Sequence, residues 1–249
     1  MHRDPPMPGP IDDDARIAAL GAEPDRVRER YARRRDDGRY GLLNPDVWQG
    51  VQERQRAMLR LFREHLGLRT LSGTRVLEVG CGTGANLLEL LRLGCEPEDL
   101  TGVELLPERL RAARHRLPAA VGLHLGDALA LDVADGSQDV VLQSTVFSSL
   151  LDVAFQQALA ARMWRWTRPG GGVLWYDFAY DNPRNPDVRG QPLSHVRRLF
   201  PQGRVRARRV TLAPPIGRAA CRLHPRLYVP LNQVPWLRTH LLCWIAKAR

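Results

Sequence analysis

Val76-Leu-Glu-Val-Gly-Cys-Gly-Thr-Gly84 decides the fold. A short apolar run with a β-branched rhythm breaks there into three alternating glycines, and Ala85 to Leu93 follows with helical spacing. A buried strand that ends in such a turn reads as a nucleotide cradle. Glycine adopts left-handed backbone angles freely and lets a ligand approach without a Cβ in the way. The helix beyond then presents unpaired N–H groups to the polar part of that ligand.

Two cofactor classes use this geometry, the nicotinamide and flavin dinucleotides and S-adenosylmethionine. Gly80, Gly82 and Ala85 formally satisfy the dinucleotide spacing Gly-x-Gly-x-x-Gly/Ala. Glu78 and Gly84 extend it to Glu-x-Gly-x-Gly-x-Gly, and the whole run resembles the first signature of the class I S-adenosylmethionine-dependent methyltransferases. The resemblance continues in order. Leu100-Thr-Gly-Val-Glu104 matches the second strand, whose terminal acid in that family binds the ribose hydroxyls. Gly122-Leu-His-Leu-Gly-Asp127 matches the third, with Asp127 where the family places an acid beside the adenine amino group. Gln138 to Ser144 matches the fourth strand, which faces the transferable methyl group, and Arg168-Pro-Gly-Gly-Gly172 the turn into the fifth. The resemblance covers residues 75–178. It implies a doubly wound α/β fold with a seven-stranded, mostly parallel sheet and an antiparallel last strand, and S-adenosyl-L-methionine as cofactor.

Alternation supports the same class independently. Strands are expected near 75–80, 100–104, 121–126, 138–144 and 171–178, with helices near 84–93, 107–117 and 152–167 between them. That order gives a parallel sheet covered on both faces. Asp152 reads as an N-cap, and Phe155, Leu159 and Met163 recur at core-packing intervals. Further on, a helix is expected over Ser194–Phe200, a strand over Arg206–Leu212 and a final strand over Leu237–Ala246. Ala213–Trp236 lies between them as an insertion, a substrate lid or a surface-docking element. Upstream, residues 1–66 form a tail and cap helices ahead of a cofactor-binding domain over 67–249. The tail, residues 1–14, carries Pro5, Pro6, Pro8 and Pro10 and has the composition of a loosely docked segment. A short helix is expected over Asp25–Arg34, and Asn44-Pro-Asp46 starts a longer one. Its apolar face comprises Val51, Met58, Leu59, Phe62 and Leu66, with Gly67 as C-cap.

Composition bounds the remainder. The net charge is +10, but Lys247 is the single lysine, and an arginine excess beside abundant Ala, Leu, Gly and Pro is what GC-rich coding gives regardless of ligand. Cys81, Cys95, Cys221 and Cys243 are scattered, which suits thiols in a reducing cytosol better than a disulfide frame or a zinc site. No metal ligands are expected. Met1-His-Arg-Asp-Pro-Pro lacks the apolar segment of a signal peptide, and no run approaches the ~18 apolar residues of a membrane span. The expected location is cytoplasmic, with peripheral contact to the inner membrane face as an option.

Cofactor contacts are expected from Glu78, Gly80, Gly82, Gly84, Glu104, Leu105, Asp127, Ala128 and Gln143. Glu104 meets two ribose hydroxyls in a charge-assisted contact. Leu105 and Ala128 wall the adenine. Glu78 has two readings, a water-mediated partner of the cofactor ammonium or a brace for an arginine. Methyl transfer from a sulfonium rests first on alignment, and a base helps where the acceptor is an alcohol. Tyr176, Asp177 and His195 are the catalytic candidates, and Ser144, Thr145, His224 and His240 are further acceptor-side candidates. Tyr31, Arg39 and Tyr40 are candidate pocket caps, and the loop Ala179–Pro192 brings Arg184, Asn185 and Arg189 toward an anionic acceptor. The acceptor is expected to be a small molecule, sugar or lipid-linked intermediate, most simply methylated on oxygen. Two rivals remain. An RNA methyltransferase is favoured by the charge but lacks the Asn/Asp-Pro-Pro-Tyr tetrapeptide, Gln143-Ser-Thr-Val146 standing in its place. A membrane-surface protein without turnover is suggested by the Leu, Trp, Tyr and Arg mixture of Ile216–Trp244.

Overall fold

A computed structural model describes residues 22–34, 38–66, 69–183 and 185–249. The tail over 1–14, the Gly67 cap and Arg184 fall outside them.

Seven strands form one sheet: β1 (Val76–Val79), β2 (Leu100–Glu104), β3 (Gly122–Leu125), β4 (Gln138–Ser144), β5 (Thr167–Phe178), β6 (Arg204–Leu212) and β7 (Arg238–Ala246). Their order is β3-β2-β1-β4-β5-β7-β6. β1 pairs in parallel with β2 and β4, while β7 runs antiparallel between β5 and β6. The expected class and the antiparallel last strand are both found. Every residue of β1 is buried, as a central strand covered on both faces must be.

Between the strands lie α3 (Ala85–Arg92), α4 (Pro107–Arg116), α5 (Val153–Trp166) and α6 (Leu193–Leu199). Two helices precede them, α1 (Glu23–Ala32) and α2 (Pro45–Leu61). Asp152 caps α5 through a 3.0 Å bond from the Phe155 N–H, and Phe155, Leu159 and Met163 are buried in the core. The buried face of α2 differs from the expected one. Met58, Leu61 and Phe62 are buried, whereas Leu59 is 42% exposed, since a 100° step past Met58 carries it onto the shoulder of the helix. Asn44 precedes Pro45 at the start of α2, but its side-chain amide donates to the Gly38 carbonyl at 2.9 Å and leaves the helix uncapped.

The fifth strand begins at Thr167, earlier than expected, because Thr167 pairs with Gln138, Gly172 with Val140 beyond a register shift, and Gly170 and Gly171 bond the Lys247 backbone. The Ala213–Trp236 insertion folds as α7 (Pro214–Leu223) and α8 (Tyr228–Asn232). Gly217 of α7 sits against Asp46 of α2, where a Cβ would lie 3.4 Å away. Leu223 and Trp236 of this insertion are each 81% exposed. All four cysteines are free thiols. No helix among the described residues is long and apolar enough to cross a membrane.

Candidate functional site

The site grows from the turn after β1. Gly80, Gly82 and Gly84 all take left-handed angles, with φ of 66°, 57° and 80°. A Cβ on Gly80 would meet Val146 Cγ2 at 2.5 Å, so the bare backbone of the turn packs directly against the Val146 side chain at the β4 exit. At Gly82 the added atom would meet nothing nearer than Arg109 Nη1 at 3.9 Å, which leaves that face of the turn open. Gly84 caps α3 and packs against Leu117. The Cys81 N–H bonds the Val103 carbonyl at 3.0 Å and ties the turn to β2.

Glu104, at the end of β2, is buried and doubly held. Its Oε2 accepts the Gly82 N–H at 2.8 Å and its Oε1 accepts the Leu106 N–H at 2.9 Å. A carboxylate has about four lone-pair directions, so each oxygen can still accept a hydroxyl. Beside it, Asp127 Oδ1 accepts the Leu129 N–H at 3.0 Å, and burial holds the Asp127 pKa above the usual carboxylate value. Glu104, Leu105, Asp127, Ala128 and Gly80 line one cleft with Ser144 and Thr145 from the β4 exit. Phe155 and Leu159, placed in the core by their spacing, also form its wall.

α1 covers this cleft with Val27 and Tyr31. It is fastened by a buried ion pair, Arg30 to Glu23 at 2.6 Å. The same Glu23 Oε1 accepts the Leu151 N–H at 2.7 Å, and Arg30 donates to the Ser149 carbonyl at 2.9 Å. The Tyr31 ring lies between two guanidinium groups, Arg34 at 3.8 Å and Arg109 at 4.5 Å from its centroid. Tyr31 is thus a cap, as expected. Tyr40, at 74% exposure, stands outside the cleft wall.

Behind the turn a second polar chain crosses from α2. Glu78 is fully enclosed, its Oε1 accepting from Asn86 Nδ2 at 2.6 Å while Oε2 has no partner. Asn86 Oδ1 accepts from Arg54 at 3.1 Å, and Arg54 reaches Ser144 Oγ at 3.4 Å and lies 4.9 Å from the Tyr176 ring. Burial raises the Glu78 pKa to about 8, against the opposing pull of Asn86 and Arg54. Of the two readings of Glu78, the geometry contains the brace, relayed to Arg54 through Asn86.

The acceptor-side candidates separate. Tyr176 faces the α2 side. Its hydroxyl bonds Thr211 Oγ1 at 2.9 Å and its ring stacks on His240 at 4.9 Å. Burial raises the Tyr176 pKa, so the phenol stays protonated, and lowers that of His240 to about 3, so that ring stays neutral. Asp177 is enclosed on the other face, accepting the Ser148 N–H at 3.1 Å and its neighbour Phe178 N–H at 2.9 Å. Burial pushes its pKa up to about 7. Gln143 does not line the cleft. Its amide is spent on the Tyr176 carbonyl and the Val146 N–H, which brace the β4 exit where Thr145 turns left-handed at φ 57°.

His195 also stands away from the cleft. Its Nε2 lies 2.6 Å from Gln156 Oε1 and its Nδ1 3.2 Å from an Arg198 nitrogen. An arginine can only donate, so Nδ1 accepts and Nε2 carries the proton toward Gln156. Gln156 in turn donates to the Phe147 and Leu150 carbonyls. Burial and two nearby arginines lower the His195 pKa. His224 lies on the surface, accepting the Arg226 N–H. Sequence reasoning missed Arg54, Asn86 and the Glu23–Arg30 pair. Nothing in their local spacing marks them, because Glu23 and Arg30 act on residues 149 and 151, and Arg54 meets Asn86 and Ser144 only in the folded chain.

Residues 76–171 match the family described as methyltransferase domain. A phthiotriol/phenolphthiotriol dimycocerosates methyltransferase from Mycobacterium ulcerans is 38% identical over 131 residues, 51% of this chain and 46% of that protein. The magnesium-protoporphyrin O-methyltransferase of Rhodobacter capsulatus is 38% identical over 76 residues, 29% of this chain and 32% of its own length. The chain therefore spans half or less of these relatives. Among solved structures, the phosphoethanolamine N-methyltransferase 2 of Haemonchus contortus in complex with S-adenosyl-L-methionine superposes with a TM-score of 0.60 at 16% identity. That alignment covers 98% of this chain and 62% of that one. At such identity the likeness concerns the fold.

Proposed function

We propose that this chain, whose residues 76–171 match a methyltransferase domain, is a class I S-adenosylmethionine-dependent enzyme that transfers a methyl group to an oxygen of a small-molecule, sugar or lipid-linked acceptor. When bound, the cofactor supplies an electrophilic methyl on a sulfonium with a good leaving group. The observation that carries the reading is Glu104, fixed by the Gly82 and Leu106 N–H groups with lone pairs to spare, in one cleft with Asp127 and Gly80. Those residues fit a nucleoside: a carboxylate for a vicinal diol, an acid for an amino-purine edge, and Leu105 and Ala128 as apolar walls.

Arg54 and Asn86, braced by Glu78, then receive the amino-acid end of the cofactor. Ser144 and Thr145 face the acceptor, while Tyr176, a neutral phenol bonded to Thr211, lies on the α2 side. Asp177 acts through the Ser148 backbone to hold the β4 exit, and His195 braces Gln156. Alignment by this frame supplies much of the rate without a base in contact. Residues 1–66 comprise a tail and cap helices and 67–249 the cofactor-binding methyltransferase domain, a division supported by α1 lying over the cleft. The named relatives are methyltransferases of phthiotriol/phenolphthiotriol dimycocerosates and of magnesium-protoporphyrin, which supports a small-molecule acceptor for this chain. An RNA acceptor is disfavoured by Gln143-Ser-Thr-Val146 at the β4 exit.

Titration with S-adenosylhomocysteine and S-adenosylmethionine, against NAD and FAD, tests the cofactor. Incubation with methyl-labelled cofactor and candidate acceptors, followed by mass, tests the transfer. Heat on titration with NAD or FAD alone would overturn the proposal.

A further inference from the structure

A second cavity, about 690 Å³, lies outside the cofactor cleft between α2, β6 and α8. Five arginines line it, Arg56, Arg60, Arg208, Arg209 and Arg238, against one carboxylate, Glu53. The arginine excess of the whole chain says little about ligands, but this convergence is a matter of tertiary placement. Like charges gathered in one groove repel, and each guanidinium is a planar fork suited to bidentate contact with phosphate oxygens.

The single acid is already engaged. Glu53 Oε2 accepts the Thr211 N–H at 2.9 Å, and Oε1 lies 3.9 Å from Arg238. Arg238 is held in place by the Asn232 carbonyl at 2.7 Å and the Arg209 carbonyl at 3.2 Å. Arg208 pairs with Glu64 at 3.1 Å, an ion pair whose side chains are both nearly half exposed and which contributes little. Arg56 and Arg60 lie one turn apart on the solvent flank of α2 and pair with no carboxylate among the described residues. The groove also abuts the acceptor side. Glu53 and Arg54 are consecutive on α2, one lining the groove and the other reaching Ser144. Thr211, held by Glu53, hydrogen-bonds the Tyr176 hydroxyl.

We propose that this groove binds a phosphoryl group, a mono- or diphosphate ester carried by the acceptor, with Arg56, Arg60 and Arg238 as its principal donors. The identification of that ligand as the acceptor rests on the methyltransferase reading; the anion site itself does not. Such a group comes either on a soluble phosphorylated compound or on a lipid headgroup. Val229 on the rim, 53% exposed, and Trp236 beyond it leave both sources open sterically.

The test compares the wild-type chain with the Arg56→Gln, Arg60→Gln double variant, whose changes are on exposed helix positions. Inorganic pyrophosphate is titrated by calorimetry, vesicles of phosphatidylglycerol or phosphatidylcholine are pelleted, and S-adenosylhomocysteine is titrated separately. Saturable pyrophosphate binding, weakened at least tenfold in the variant and with a shallower salt dependence, is the expected result. If phosphatidylglycerol vesicles also pellet the wild type and not the variant, the lipid headgroup is the source; pyrophosphate binding alone indicates a soluble one. No saturable binding of either probe, or equal binding by the variant, would overturn the site. So would tight binding of an RNA duplex lost in the variant without any pyrophosphate binding. Loss of S-adenosylhomocysteine binding in the wild type would instead remove the methyltransferase reading and leave the groove standing.

Discussion

Glu104→Ala is the perturbation that probes the site most directly, because this side chain has one duty in the fold and one proposed toward the ligand. Toward the protein, its oxygens hold the Gly82 and Leu106 N–H groups. Toward the ligand, the same oxygens are proposed to accept two ribose hydroxyls. Removing a hydrogen bond to a charged group costs about 1.5–3 kcal/mol. Since about 1.4 kcal/mol is tenfold in affinity, S-adenosylhomocysteine binding should weaken by roughly one to two orders of magnitude. Independently, two backbone donors lose their acceptor. The Leu106 donor is buried and the Gly82 donor only partly so, which gives a folding cost of about 2–4 kcal/mol at the ~1–3 kcal/mol of each unsatisfied group. For a chain of this size that lowers the melting temperature by roughly 5–15 °C. Glu104→Gln sharpens the comparison, since its amide offers one acceptor and turns an NH2 group toward the other N–H donor. Its stability loss should approach that of alanine. Calorimetric titration and thermal unfolding read the two effects separately. A destabilised variant that still binds the nucleoside with wild-type affinity would refute the ribose contact and leave Glu104 as a tie between β2 and the glycine turn.

Glu23→Gln removes one partner of the buried Arg30 pair. Such losses reach about 3–5 kcal/mol, but here α1 can lift away, so the effect should appear as faster hydrogen exchange over 23–32 and a raised KM for the cofactor; unchanged exchange would dismiss the clamp. Gly80→Ala forces a left-handed alanine, at about 1–2 kcal/mol, and sets a Cβ 2.5 Å from Val146 Cγ2; an equally stable variant with normal cofactor affinity would show that turn and β4 exit do not touch. Glu78 has a folded pKa of about 8, above the ordinary carboxylate value. The folded state therefore keeps a proton that the unfolded state releases, and its contribution to stability falls as pH rises from about 4.5 to about 8. Glu78→Gln should flatten the decline in melting temperature of the ligand-free protein across that window, and an identical slope in the variant would count against a protonated Glu78.

Sequence alone determined the class of fold and the glycine turn and acids proposed to hold the cofactor. Strand β1, its glycine turn, the acid closing β2 and the acid after β3 are local patterns. Each rests on a handful of consecutive residues, whose backbone needs and burial are visible without neighbours, and the Asp152 cap belongs with them. What lies over and beside the cleft was decided by the tertiary structure. α1 is fixed by Glu23 and Arg30 to residues 149 and 151, Arg54 enters through Asn86, and His195 turns its proton toward Gln156, away from the cleft. These partners are separated by tens to more than a hundred positions. A polar side chain's role depends on which group chain packing brings within about 3 Å, and no local periodicity encodes that. The same holds for the arginine groove, since five cations scattered from residue 56 to 238 become one site only when α2 is laid against β6.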